Sequence, residues 1–184
     1  MAKIGTRLGR EDWLRQALQV LEEDGVHGIR VERVARDLGV TKGSFYWHFR
    51  DHDDLLQSVL DYWSDAFNDR VIENPELLSA DPNESLVNII EFVQENDLDR
   101  YELAMRAWAE TDTRVAKVVK DVYARRFEFV KFFFHQHGFS ELQTEARARL
   151  LLCYLSWEPS LLFDEDKRRR NELRRLYHEI LTKK

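Results

Sequence analysis

Proline and glycine are scarce in this chain, three and seven among 184 residues. That is too few for the repeated tight turns of a β-sandwich or barrel, and helix is favoured from the outset. A single cysteine, Cys153, rules out an internal disulfide and fits a reducing compartment. Set in an apolar run, it reads as a buried, inert thiol. Long apolar runs are missing too: the longest, 132–134 and 150–155, fall far short of the ~20 residues that cross a bilayer. No basic-then-apolar leader opens the sequence, so the expected location is the cytoplasm, with no membrane partner. There is no glycine-rich phosphate loop, and no local spacing suggests a Ser/His/Asp or Cys/His set. Neither enzymatic activity nor a cofactor is expected. His48 and His52 stand four apart, but no third ligand converges on them, and no metal is expected.

What is present is the composition of a folded protein, 43% apolar and 34% charged. The length suits one large domain or a small one joined to a medium one. The net charge of −6 argues against a polyanion partner until it is divided along the chain. Residues 1–50 carry nine Lys/Arg against seven Asp/Glu, and the remainder nineteen against twenty-seven. A mildly basic head on an acidic body suits a small nucleic-acid-binding module attached to a regulatory domain.

Hydrophobic periodicity predicts an all-α protein of nine helices. The first, over about 11–24, places Trp13, Leu14, Ala17, Leu18, Val20 and Leu21 on one face and stops at Gly25. Two short helices follow at about 31–38 and 42–49, with Gly39 at the turn and Thr41 as candidate N-cap. Asp51 or Asp53 can cap a fourth helix running to about 72, with Phe67 on its apolar side. Pro75 and Pro82 mark the segment 74–83 as a loop. Helices at about 84–95, 100–111, 113–137, 140–163 and 166–182 complete the chain, Gly138 ending the seventh and Pro159 kinking or shortening the eighth. The expected division is a head over 1–52 and a body over 53–184, hinged within or just before the fourth helix.

Residues 31–49, VERVARDLGVTKGSFYWHF, carry the informative pattern. Two short helices can cross steeply where their contact is small and the turn tolerates positive φ. Ala35 supplies the first and Gly39 the second, while Val34, Leu38, Val40 and Phe45 point inward. This is helix-turn-helix logic, leaving the second helix free to enter a major groove. Its exposed positions, Thr41, Lys42, Gly43, Ser44, Tyr46, Trp47 and His48, hold hydroxyl and ring donors and no carboxylate. Such a set suits phosphate positioning with a few base-edge contacts. Three consecutive helical residues span about 200°, so Tyr46, Trp47 and His48 do not share one core.

Residues 9–56 resemble the DNA-binding head of the tetracycline-repressor (TetR) family of transcriptional regulators. The resemblance rests on Gly25, Val34-Ala35, Leu38-Gly39-Val40, Thr41-Lys42-Gly43-Ser44, the run Phe45-Tyr46-Trp47-His48-Phe49, and Leu55-Leu56. It implies a homodimeric repressor whose recognition helices enter successive major grooves of a palindromic double-stranded operator and which releases DNA on binding an effector. It further implies that Thr41 and Tyr46 hold phosphates and that Lys42 and Gly43 approach the backbone. Ser44 and Trp47 would lie nearest the bases, with His48 flanking the backbone. Two positions depart from the family pattern. Arg30 stands where a Ser or Thr usually caps the second helix, exchanging a hydroxyl cap for a long cation. His52, beside Asp51, Asp53 and Asp54, stands where a Lys usually donates to phosphate. Fewer ionic contacts are therefore expected, with Arg50 compensating.

In the body, large aromatics on the later helices either fill a core or surround a ligand-sized void. The candidate pocket residues are Tyr101, Met105, Trp108, Tyr123, Phe127, Tyr154 and Trp157, and an effector among them would be small and largely apolar or aromatic. The seventh helix is apolar nearly all round at 132–134, which predicts a central, covered position. Two further stripes, Leu150, Tyr154, Trp157 and Leu161, then Leu173, Leu176, Tyr177, Ile180 and Leu181, dock either on the chain's own core or on a second copy. The resemblance implies the second: a homodimer through a four-helix bundle. The basic run 167–170 lies between acidic neighbours and reads as a solvated helix start.

Overall fold

The computed structural model describes residues 8–157 and 166–183, without the side chains of residues 66–69, 167 and 170. Among these are nine α-helices and no strand: α1 (Arg10–Asp24), α2 (Val31–Asp37), α3 (Lys42–Phe45), α4 (His52–Ile72), α5 (Pro82–Glu95), α6 (Glu102–Ala109), α7 (Thr113–Gln136), α8 (Glu141–Trp157) and α9 (Lys167–Thr182). Single 3-10 turns lie at Val26–Gly28 and Pro75–Leu77. The expected kink at Pro159, the apolar role of Phe67, the last turns of the eighth helix and the interface residue Leu161 fall outside the described residues.

The boundaries follow local chemistry. Asp51 accepts from the amide of Asp54 at 2.8 Å and so caps α4. Pro82 sits in the first turn of α5 behind Asp81, which caps the amide of Asn83 at 2.9 Å. The loop expected over 74–83 is thus shorter, and its first half is a 3-10 turn capped by Asn74. Asp166 caps α9, and Arg168 pairs with Glu172 one turn on, at 3.0 Å. Gly25 and Gly39 both take φ near +70°, and a Cβ at either would meet nothing within 4 Å. Their requirement is therefore conformational and not one of space.

The contacts resolve two compact units. One holds the described residues up to Asp65 together with Ala104–Val118, and the other holds Ala66–Leu103 with Val119 onward. The first extends beyond the expected boundary at 52/53 because α4 is a single helix that continues the head's core through Leu55, Val59 and Leu60, all buried. Met105 and Trp108, nominated for a pocket, are buried at 0% and 4% exposure and belong to this first unit. In the second, Leu86, Ile89 and Ile90 of α5, Val130, Phe133 and Phe134 of α7, Ala148, Leu151 and Leu155 of α8 and Leu181 of α9 form one apolar core. Leu181 thus docks on its own unit.

Two expectations are corrected. Phe132 is 55% exposed, so α7 is not covered all round at 132–134. Cys153 is exposed: the buried stripe of α8 is Thr144, Ala148, Leu151 and Leu155, and Cys153 falls on the other face. We expect Gly39→Ala to lower the free energy of unfolding by about 1–2 kcal/mol, the cost of a left-handed backbone for an L residue, measured by urea titration.

Candidate nucleic-acid interface and ligand cavity

The turn between α2 and α3 is closed by backbone bonds from Gly39 N to Arg36 O (3.0 Å) and Val40 N to Ala35 O (2.9 Å). Ala35 is 3% exposed at the crossing. The helix after the turn is shorter than expected: α3 ends at Phe45, and residues 46–48 form a hydrogen-bonded turn. Trp47 N reaches Ser44 O at 3.3 Å, while His48 N and Phe49 N both reach Phe45 O. Mixed three- and four-residue bonds are the usual tightening of a helix end.

Aromatic packing holds this short segment. Phe45 and Phe49 are 1% and 3% exposed and stack at 5.3 Å. Trp13 of α1 meets them edge-on at 5.6 and 6.4 Å, and Arg10 lies 5.0 Å above the Phe49 ring. With those two rings turned inward, Tyr46 and Trp47 turn outward, at 62% and 81% exposure. Thr41, Lys42 and Gly43 are also exposed and Ser44 is half-buried. Thr41 precedes α3 but makes no side-chain cap bond, and Ser44 Oγ instead donates to Thr41 O at 2.8 Å. The Thr41 hydroxyl is left for an outside partner. His48 is half-buried, its ring 6.4 Å from Trp13.

The cations are less available than their exposure suggests. Lys42 pairs with Glu32 of α2 at 2.5 Å. That hydrogen bond holds the Glu32 carboxyl below its ordinary range and raises the Lys42 ammonium, so both are charged at neutral pH. His52 Nε2 lies 2.6 Å from the carbonyl of Ile29. A carbonyl only accepts, so Nε2 carries the proton, and the ring donates to a phosphate only when Nδ1 is protonated as well. Arg50 is largely exposed, its Nε 3.6 Å from Asp54. Arg30 precedes α2 without a side-chain cap, the loss expected from its departure from a hydroxyl residue. Arg33 instead ties the head together, bridging Glu23 and Asp24 of α1 and Asp37 of α2.

The second unit contains a narrow cleft with a cavity volume of about 60 Å³. Its lining is mostly aliphatic, with Val71, Ile72, Ile89, Val93, Leu98, Leu152 and Leu155 beside Phe129. Glu102 stands in its wall at 2% exposure, accepting from Tyr123 Oη and from Arg126 Nη1 at 2.7 Å. Ser156 Oγ lies 3.5 Å from the same Tyr123 oxygen. Asp99 completes the polar side.

None of the seven nominated pocket residues is among the described residues of this lining. Tyr123 meets the lining through Glu102 and Ser156. Tyr101 lies under Arg100 at 5.4 Å, and Phe127 lies between Lys131 and Arg149. Tyr154 packs on Tyr177 at 4.6 Å and accepts from Gln94 at 3.1 Å, and Trp157 is 49% exposed. The signal for Glu102 was present: it sits three residues before Met105, a carboxylate on an apolar face.

Of the dimer candidates, Leu150, Trp157, Leu176, Tyr177 and Ile180 are exposed, between 38% and 61%, and Leu173 and Tyr154 are half-buried. Among the described residues, no three His, Cys, Asp or Glu side chains group to hold a metal, and no helix is long and apolar enough to cross a membrane.

A glycine-turned helix pair that presents outward rings beside a basic rim defines a helix-turn-helix head of the DNA-binding kind. Residues 14–59 match the family described as bacterial regulatory proteins, tetR family. The chain is 28% identical over 86 residues to the HTH-type transcriptional regulator AcrR of Shigella flexneri, a match covering 45% of this chain and 40% of that one. The chain therefore spans less than half the length of this curated relative. Over its whole length it shares the fold of a TetR transcriptional regulator from Legionella pneumophila, with a TM-score of 0.74 and 15% identity, over 96% of this chain and 99% of that one. The same fold occurs in FadR from Bacillus subtilis, solved in complex with stearoyl-CoA, at a TM-score of 0.67 and 16% identity, over 95% and 98% of the two chains.

The two classes of ring in the head make opposite predictions. Phe45→Ala should cost about 3–5 kcal/mol in urea unfolding. Trp47→Ala should leave stability within about 0.5 kcal/mol, as expected of an exposed side chain.

Proposed function

We propose that this chain is a ligand-responsive transcriptional repressor that binds a palindromic operator as a homodimer and releases it when an effector occupies the second unit. The observation that carries the reading is the outward placement of Tyr46 and Trp47 beside the unengaged Thr41 hydroxyl, on a segment anchored by Phe45 and Phe49. In this reading Thr41, Tyr46 and Arg50 hold phosphates, and Lys42 and Gly43 approach the backbone. Trp47 and Ser44 lie against base edges, while Arg30, His48 and His52 flank the contact. One short helix gives little specific affinity. Two half-sites ~34–36 Å apart make the second contact intramolecular.

The effector cleft is mostly aliphatic with a single satisfied ion pair in its wall, which favours a small, largely apolar molecule with one polar end. For the dimer, the uncovered face of α8 carries Leu150, Cys153 and Trp157, and that of α9 carries Leu176, Tyr177 and Ile180. Exposed apolar side chains gathered on two adjoining helices mark an interaction surface.

A second reading, a ligand-binding dimer without specific DNA binding, draws on Lys42 being paired to Glu32 and His52 being held by Ile29. Mobility-shift titration with the DNA upstream of the chain's own gene separates the two. A repressor forms a discrete complex whose log affinity falls linearly with log salt, with slope about −0.9 per phosphate neutralised. The second reading gives no salt-sensitive specific complex. Glu32→Gln should release Lys42, tighten binding and steepen that slope by about 0.9. An unchanged slope would remove Lys42 from the phosphate contacts.

Leu176→Asp combined with Ile180→Asp should yield monomers in sedimentation experiments, with faster alkylation of Cys153. These two exposed positions are better probes than Leu173 and Tyr177, which also pack within the chain. A variant that still sediments as a dimer would place the interface elsewhere.

A further inference from the structure

A second cleft, distinct from the aliphatic one, lies between α5 and α9 and has a cavity volume of about 250 Å³. One side is apolar, formed by Val87 and the buried Ile90 of α5. The other is basic, formed by Arg174, Arg175 and His178, which fall on one face of α9 at three- and four-residue spacing.

Two observations set this cleft apart from an ordinary solvated helix face. Arg174 Nε and His178 Nε2 are both shut off from solvent, and neither has a hydrogen-bond partner among the described residues. Buried polar atoms of this kind are rare in folded proteins and commonly mark a missing ion, water or ligand. Guanidinium nitrogens are donors only, so whatever satisfies Arg174 is an acceptor. The chain's own acceptors do not reach it. Glu91 and Glu179 line the same cleft, but both are exposed, and no ion pair joins either to Arg174, Arg175 or His178 among the described residues. Arg174 and His178 are half-buried and each turns one nitrogen inward, whereas Arg175, like the two carboxylates, is exposed at the mouth. That order favours an anion that enters and meets the interior, and the planar guanidinium fork suits two oxygens of one oxyanion.

We propose that the α5–α9 cleft is an oxyanion-binding site that takes a small phosphate- or carboxylate-bearing ligand on Arg174, His178 and Arg175. The site shares no lining residue with the aliphatic cleft and belongs to the unit that does not contain the helix-turn-helix, so it stands whether or not the repressor reading holds.

The test is thermal unfolding and calorimetry of the full chain in sodium phosphate, sodium acetate and sodium chloride at equal ionic strength, with no DNA present. Phosphate, acetate or both should raise the melting temperature saturably above the chloride value, and the relative size of the two shifts separates a phosphoryl from a carboxylate ligand. Arg174→Met should lose that increment while melting in chloride no lower than the unaltered chain, because it removes an unpartnered buried donor. His178→Gln, which keeps a polar side chain of similar length, should weaken anion binding at least several-fold by calorimetry. Lys42→Ala should keep the full increment, which excludes phosphate held at the head as its source. Equal melting in all three salts overturns the proposal, and so does an increment that survives both Arg174→Met and His178→Gln.

Discussion

The head depends on one aromatic contact. A helix of four residues has no stability of its own, since forming the first turn costs more order than its few hydrogen bonds return. Here α3 is held because Phe45 and Phe49 fill the space against Trp13, with Arg10 over the far ring. Everything outward follows from that inward packing. At this helix end Phe45 and Phe49 share a face four residues apart, so Tyr46 and Trp47 between them point away while His48 stays half-buried. Tyr46 and Trp47 are presented by the burial of their neighbours and make no anchoring contacts of comparable extent themselves.

Electrostatics modulate what this scaffold presents. The head carries a small positive excess, yet several of its cations have partners within the fold. Arg33 is spent on Glu23, Asp24 and Asp37, and Lys42 on Glu32. His52, standing where a lysine is usual, donates to a backbone carbonyl. The outward face of residues 41–50 is therefore richer in rings and hydroxyls than in free charge. In general, a surface of that kind draws less on counterion release than one rich in free cations.

How far the sequence could be read tracks how local each determinant is. Glycine stops, caps and the inward–outward division of residues 31–49 depend on neighbours within a few positions, and these were legible. The pairing of Lys42 on α3 with Glu32 on α2, ten residues away, and of His52 on α4 with Ile29 ahead of α2 depends on how these segments are brought together, which no local pattern records. On α8 the run 150–155 is apolar on every side, so periodicity could not say that Leu151 and Leu155 go inward while Leu150 and Cys153 stay out. The cleft was missed for a different reason. Size directed attention to tyrosines and tryptophans, whereas voids are left where branched aliphatic side chains meet without filling the space between helices. Met105 and Trp108 filled core instead, as large apolar side chains usually do.

Buried charge in the second unit is handled in two contrasting ways. Glu102 is almost fully enclosed, yet both of its oxygens are used, one by Tyr123 and the other by Arg126. Satisfied in this way, it fixes the relation of α6 to α7 and gives an otherwise aliphatic cleft one polar wall. Arg174 and His178 are enclosed on one nitrogen each without any such partner. The same unit thus contains a charge whose needs are met by the fold and a pair whose needs are not. Unmet donors weaken a fold unless something from outside meets them. One face of α9 keeps them beside an open cleft, whereas another face exposes Leu176 and Ile180. One amphipathic helix, with arginine and histidine on one side and leucine and isoleucine on another, can carry both faces because 3.6 residues per turn give each set its own direction.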